Sequence, residues 1–145
     1  MRKENGFSMI ELLIVVTIIT LIAAIAIPNL RKARQSANKA SCIQSLRTIT
    51  TAEHLYKSKF QQYGTLAQLA PEGTLDSSLG VGSKASYNFT IAVSTDPPRP
   101  EYVHFKINAT PFEDPTLPHF FVDETAVIRY VDGAPADETS PPIPR

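Results

Sequence analysis

The chain has 145 residues, 43% of them apolar, and its 14 basic and 14 acidic residues cancel to a net charge of zero. A single cysteine, Cys42, excludes an intrachain disulfide, so the loops must be held by packing. Once an N-terminal apolar segment is set aside, the remainder is of ordinary single-domain size.

In chain order, Met1 to Gly6 is a short basic leader carrying Arg2 and Lys3. An apolar run follows from Phe7 to Ile27, relieved only by Glu11, Thr17 and Thr20. Those 21 residues span roughly 31 Å as a helix, enough to cross the hydrocarbon of a bilayer. Glu11 is the anomaly. A lone ionised carboxylate in hydrocarbon costs several kcal/mol, so it marks function and calls for a partner. The nearest candidate is an α-amino group, created if the chain is cut after Gly6.

The short basic leader, the Gly6-Phe7 junction, Glu11 five residues into the mature chain and the long apolar helix resemble a type IV prepilin. The resemblance is to the class with short leaders and an N-methylated phenylalanine, shared by pilins and the pseudopilins of type II secretion. It is specific from Gly6 to Pro28 and weakens to general architecture from Leu30 to Tyr63. It implies cleavage between Gly6 and Phe7 and methylation of the Phe7 amine by a membrane prepilin peptidase. It further implies that Glu11 neutralises the Phe7 amine of a neighbouring subunit during assembly. Many pilins close a C-terminal loop with a disulfide, and this chain departs from that pattern.

Two plainer readings compete. A secretory signal peptide would use Arg2 and Lys3 as its basic end and Ala24-Ile25-Ala26 as a cleavage site before Ile27. The apolar stretch is longer than such signals need, and Glu11 is then unexplained. A plain membrane anchor leaves Glu11 unexplained too. Charge adds a conflict: Arg31, Lys32 and Arg34 outweigh Arg2 and Lys3, which favours the reverse orientation. The prepilin resemblance implies a cytoplasmic leader and an exported C-terminal part, and its motif is more specific than one charge.

Pro28 removes a backbone donor and is expected to kink or locally melt the helix. From Leu30 to Tyr63 the pattern predicts one amphipathic helix, with Leu30, Ala33, Ala37, Ala40, Cys42, Leu46, Ile49, Tyr56, Phe60 and Tyr63 on its apolar face. Tyr56, Phe60 and Tyr63 are expected to pack under the head. Gly64 ends the helix, and Thr65 to Gly82 connects onward with a helical piece around Leu66 to Leu69. Tyr87 to Val93 and Val103 to Ala109 alternate at strand period, separated by the rigid loop Asp96 to Pro100. Phe120 to Val122 and Ala126 to Val131 flank Asp123-Glu124-Thr125 as a hairpin. The stretch from Asp132 to Arg145 is proline-rich and reads as a tail, laid on the surface or loose.

Charge is unevenly divided. Residues 31–63 hold seven basic residues against Glu53 alone, a net +6, and residues 64–145 hold five basic against eleven acidic, a net −6. Opposite signs suit pairing between neighbours in an assembly, while a solvated face and lipid contacts explain the basic part equally well. DNA is a weaker partner for it, since no aromatic residues interleave on the exposed face.

No chemistry of catalysis is legible. His54, His104 and His119 lie far apart without ligand-like spacing, with His104 on the polar face of its strand. No serine sits on a nucleophile elbow, and Asp123, Glu124 and Asp132 form no calcium loop, so turn chemistry is favoured. Asn88-Phe89-Thr90 and Asn108-Ala109-Thr110 match a glycosylation sequon that alternating strands produce by chance. Cys42, on a helical face with apolar neighbours, reads as a buried small hydrophobe.

The expected fold is α+β: a long N-terminal transmembrane and amphipathic α-helix packed against a small antiparallel β-sheet head. The expected divisions are the cleaved leader 1–6, the filament-core helix 7–28, the amphipathic helix 29–63, the head 64–131 and the tail 132–145. The resemblance implies a structural subunit rather than an enzyme, with no cofactor or metal, that polymerises into a helical homo-oligomeric filament. Gly6 and Phe7 are then the cleavage site, Phe7 the methylation site, and Glu11 and Pro28 the assembly residues. The partners implied are the prepilin peptidase and methylase, an inner-membrane assembly platform and, before assembly, membrane lipid. The alternative is a pseudopilin of a type II secretion system.

Overall fold

The computed structural model describes residues 6–95 and 102–144. The leader residues before Gly6 and the loop Asp96 to Pro100 lie outside them. The chain divides into two compact units, one ending at Ser36 and one of Ala37–Arg145. The layout is α+β and pilin-like, a long apolar N-terminal helix and a five-stranded antiparallel sheet.

In the first unit, Gly6, Phe7 and Ser8 are non-helical and helix α1 (Met9–Phe60) begins immediately after them. The Leu12 amide donates to the Ser8 carbonyl at 3.1 Å, closing the first turn. Leucine and alanine lose little on helix formation, the β-branched isoleucines and valines lose some side-chain freedom, and the two threonines add no free polar group. Thr17 Oγ1 donates to the Leu13 carbonyl at 2.7 Å and Thr20 Oγ1 to that of Thr17 at 2.9 Å. Beyond Glu11 the two threonines therefore leave the apolar surface of the helix unbroken, as a lipid-facing helix requires. Its most apolar stretch has mean hydropathy 2.9 and no buried residue. Local melting at Pro28 does not occur, since α1 continues through it without a break. One lost donor is bridged by the intact turns on either side.

In the second unit, the C-terminal part of α1 packs on the sheet. Its buried residues are Cys42, Ser45, Leu46, Ile49, Thr50, Ala52 and Glu53, at steps that keep one helical face inward. The apolar face expected to begin at Leu30 begins only at Cys42, for Leu30, Ala33, Ala37 and Ala40 are exposed. The helix also ends earlier than Tyr63. Gln61 takes a left-handed φ of 60°, and its amide donates to the Lys57 carbonyl at 2.8 Å. Gly64 instead serves a close approach. A Cβ there would meet the Tyr56 ring at 3.1 Å. Of the three expected aromatics, Tyr63 is buried against Phe105 at 4.7 Å between centroids. Tyr56 stacks on Phe60 at 4.4 Å, and Phe60 stays 43% exposed.

The connection holds α2 (Leu66–Leu69), where expected, a 3₁₀ turn and α3 (Ser77–Val81). Asp76 caps α3, accepting from the Leu79 amide at 2.8 Å and from Lys84. That pair holds its carboxyl below the usual range, with the Lys84 hydrogen bond the main cause.

The sheet is a meander of β1 (Ser83–Lys84), β2 (Tyr87–Thr95), β3 (Tyr102–Pro111), β4 (Pro118–Asp123) and β5 (Arg129–Asp132) in spatial order. Strand alternation puts Tyr87, Phe89, Phe105, Ile107, Phe120 and Val122 in one core with Cys42, Leu46 and Ile49 of α1. The expected hairpin needs correction. Ala126 to Ile128 are not strand, because Asp123 accepts from the Thr125 amide at 3.0 Å and Ala126 turns at φ 60°. The tail is laid down rather than loose. The Tyr130 amide donates to the Pro141 carbonyl and the Ile143 amide to that of Ile128, both at 3.0 Å. Arg129 bonds the Ser140 carbonyl at 2.9 Å, so the tail covers the β5 edge that would otherwise be open to pairing.

Cys42 is wholly buried and unpaired, and burial drives its thiol far above the usual range. Melting of the full chain should therefore be unchanged by reductant, and native protein should resist thiol alkylation. A large reductant-induced fall in the melting temperature of the monomer would contradict the packing described.

Candidate functional site

The residues singled out at the N-terminus lie together at the start of α1. Gly6 sits in open space, with nothing within 4 Å of a Cβ built on it. Phe7 is 75% exposed and precedes the helix, so the Gly6–Phe7 peptide lies in non-helical backbone. Glu11 falls in the first turn of α1, where the unsatisfied amides of a helix start favour a negative charge. It is exposed, and among the described residues its carboxylate meets no cation. The same surface carries Met9, Ile10, Leu12, Leu13 and Ile14, each more than half exposed. Pro28 lies within α1 on the C-terminal side of this surface.

The arrangement leaves the Gly6–Phe7 peptide exposed ahead of the helix and the Glu11 carboxylate exposed in its first turn. A carboxylate moved from water into an apolar environment interacts more strongly with any cation brought to it, because water no longer screens the pair.

The histidines do not converge. His104 sits on the exposed face of β3, 2.8 Å from Glu124, and His54 packs edge-on to Tyr63 and Phe105, each at 6.1 Å. His119 lies on β4 with a buried Nδ1 that has no hydrogen-bond partner among the described residues. Among the described residues no three His, Cys, Asp or Glu side chains gather. Asp123 serves the turn before Ala126. The sequon residues pair across β2 and β3, Asn88 opposite Thr110 and Thr90 opposite Asn108.

Sequence reasoning counted Glu53 only as a charge, yet it is fully buried. Its Oε2 accepts from the Gly64 amide at 2.9 Å, and its Oε1 is buried with no hydrogen-bond partner among the described residues. Burial pushes its carboxyl up to about 7, opposed by the Gly64 hydrogen bond. The signal was available: Glu53 stands four residues after Ile49, on the face that Leu46 and Ile49 turn inward.

A family model described as the prokaryotic N-terminal methylation motif matches residues 1–27. No curated protein and no solved structure shows significant similarity to the chain. The matched stretch contains Gly6, Phe7 and Glu11 and ends one residue short of Pro28. The chain thus carries the class III N-terminal methylation signal of type IV pilins and pseudopilins, on a helix long and apolar enough to anchor in a membrane.

Proposed function

We propose that the chain is a structural subunit of a type IV pilus filament. It is cut after Gly6, methylated on the Phe7 amine and polymerised through its N-terminal helix. The observation that carries this reading is the coincidence of the methylation motif with an apolar helix bare in the single chain and bearing Glu11 in its first turn. Such a surface needs lipid before assembly and identical helices after it. Exchange of lipid for protein changes little hydrophobic energy, so packing and the Glu11–amine pair supply the specificity. The prepilin peptidase and an inner-membrane platform act on the membrane pool, and the assembled filament lies outside the cell. Neither step makes the chain an enzyme.

Deleting the gene and imaging the cell surface tests this. Loss of surface filaments, restored by the wild-type gene and containing this chain as the main band, is the expected result. Filaments that persist, with defective release of secreted proteins instead, would favour the pseudopilin reading.

A further inference from the structure

Most of the ionised side chains described in the second unit already have a partner within it, although only the Lys59–Glu72 ion pair joins residues 31–63 to residues 64–145. Lys59 pairs with Glu72 at 2.6 Å, Lys106 with Glu138 at 3.2 Å, Lys84 with Asp76, and His104 with Glu124 at 2.8 Å. Lys39 and Lys57 lie over the Tyr130 and Tyr63 rings at 5.3 and 4.3 Å. Glu113 accepts from Ser86, while Asp114, Asp123 and Asp137 accept from threonines two residues on. Among the described residues of this unit, that leaves one cation, the Arg47 guanidinium, with no counter-charge, hydrogen bond or ring contact, and one anion, the Asp132 carboxylate, with neither counter-charge nor hydrogen bond.

Their settings are complementary. Arg47 borders a groove of about 840 Å³ whose lining includes Thr50, Thr51 and His54 of α1, Val127 before β5 and Ile143 of the tail. It is a mostly apolar trough with a cation on its rim. Asp132 opens the exposed turn Asp132-Gly133-Ala134-Pro135. Gly133 has φ 72°, and a Cβ there would meet nothing within 4 Å, so the turn is unobstructed. The groove is built beside Ile128, at the start of β5 (Arg129–Asp132), and Asp132 ends that strand. A strand of that length separates them by roughly 10–13 Å at about 3.3 Å per residue.

We infer that the Arg47 groove of one copy receives the Asp132–Pro135 turn of a second copy. Groove and turn are different patches of the surface, so the contact is heterologous and repeats from copy to copy. The small residues Gly133, Ala134 and Pro135 fit a shallow apolar trough, and the carboxylate brings the counter-charge that Arg47 lacks. The inference deepens the filament reading and rests on it. The nearby acidic residues Glu124 and Asp123 are engaged within their own chain, Glu124 by His104 and Asp123 by its own turn.

The test uses full-length chain in cells. Arg47→Asp or Asp132→Arg alone should lower filament yield about tenfold or more, because like charges then face each other across the contact. Combining the two should restore it. In parallel, Arg47→Cys with Asp132→Cys should give a ladder of oxidised multimers in wild-type-like filaments, with Cys42 silent in its buried position. Normal filaments from both single reversals, no rescue in the double variant, or crosslinks that stop at the dimer would overturn the inference. Filaments that form but do not crosslink would sink this contact and leave the subunit reading standing. Absence of filaments from wild-type cells would sink the subunit reading itself.

Discussion

Glu11→Ala should leave the chain inserted in the membrane and abolish filaments. The carboxylate sits in the first turn of a helix whose apolar surface is bare, and among the described residues it has no partner of its own. Removing it takes a charge out of an apolar run, so insertion becomes easier rather than harder. Assembly suffers the opposite. The neighbour's Phe7 amine would enter the filament core with nothing to neutralise it, and a buried charge stripped of its partner costs about 3–5 kcal/mol. Repeated at every subunit, that penalty leaves little polymer. Fractionation and electron microscopy of the variant read both halves of the expectation. Normal filament yield would remove Glu11 from assembly, and failure to insert would mean the residue acts earlier.

The second large effect concerns Glu53 and pH. Its folded-state carboxyl is raised from 4.5 to about 7, so between those values the folded chain holds a proton that the unfolded chain has released. Stability therefore falls as pH rises through this window and is greatest on the acid side of it. The difference is worth up to about 3 kcal/mol. Asp76 and Asp137 shift the other way, so their contributions disappear only in stronger acid and leave the window to Glu53. Melting of the full chain in detergent should be several degrees higher at pH 5.5 than at pH 8. Glu53→Gln keeps an oxygen for the Gly64 amide and carries no charge, so it should flatten the dependence and raise stability at pH 8. A flat wild-type profile, or a variant with the wild-type slope, would show that Glu53 is not the titrating group. Glu53→Leu should destabilise at every pH, because the Gly64 amide loses its acceptor.

Much of this could be read from residue order, wherever a period repeats long enough to be unambiguous. The run from Phe7 to Ile27 is apolar at almost every position, and Tyr87 to Val93 alternates cleanly, so helix and strand follow from local chemistry. The Gly6, Phe7 and Glu11 spacing is equally local. What escaped was decided by backbone turns and by partners distant in sequence. The helix stops at Phe60 because Gln61 turns left-handed and Glu53 fixes Gly64, neither of which is a local stop signal. Ala126 to Ile128 look like strand, yet the Asp123–Thr125 turn and the returning tail remove them from the ladder. The alanines from Ala33 to Ala40 have the spacing of a buried face but lie exposed, ahead of where burial begins at Cys42. Glu53 was hidden by its type. A carboxylate is read as surface unless its helical phase is checked.

The central claim is that this chain leaves the membrane as a processed filament subunit, and mass tests it most directly. Filaments sheared from the cell surface should yield a chain beginning at Phe7, with one methyl group on its α-amine. Fragment spectra of the N-terminal peptide would place that group on Phe7. A mature chain beginning at Ile27, or one that retains Met1 to Gly6 and never appears in sheared material, would contradict the account.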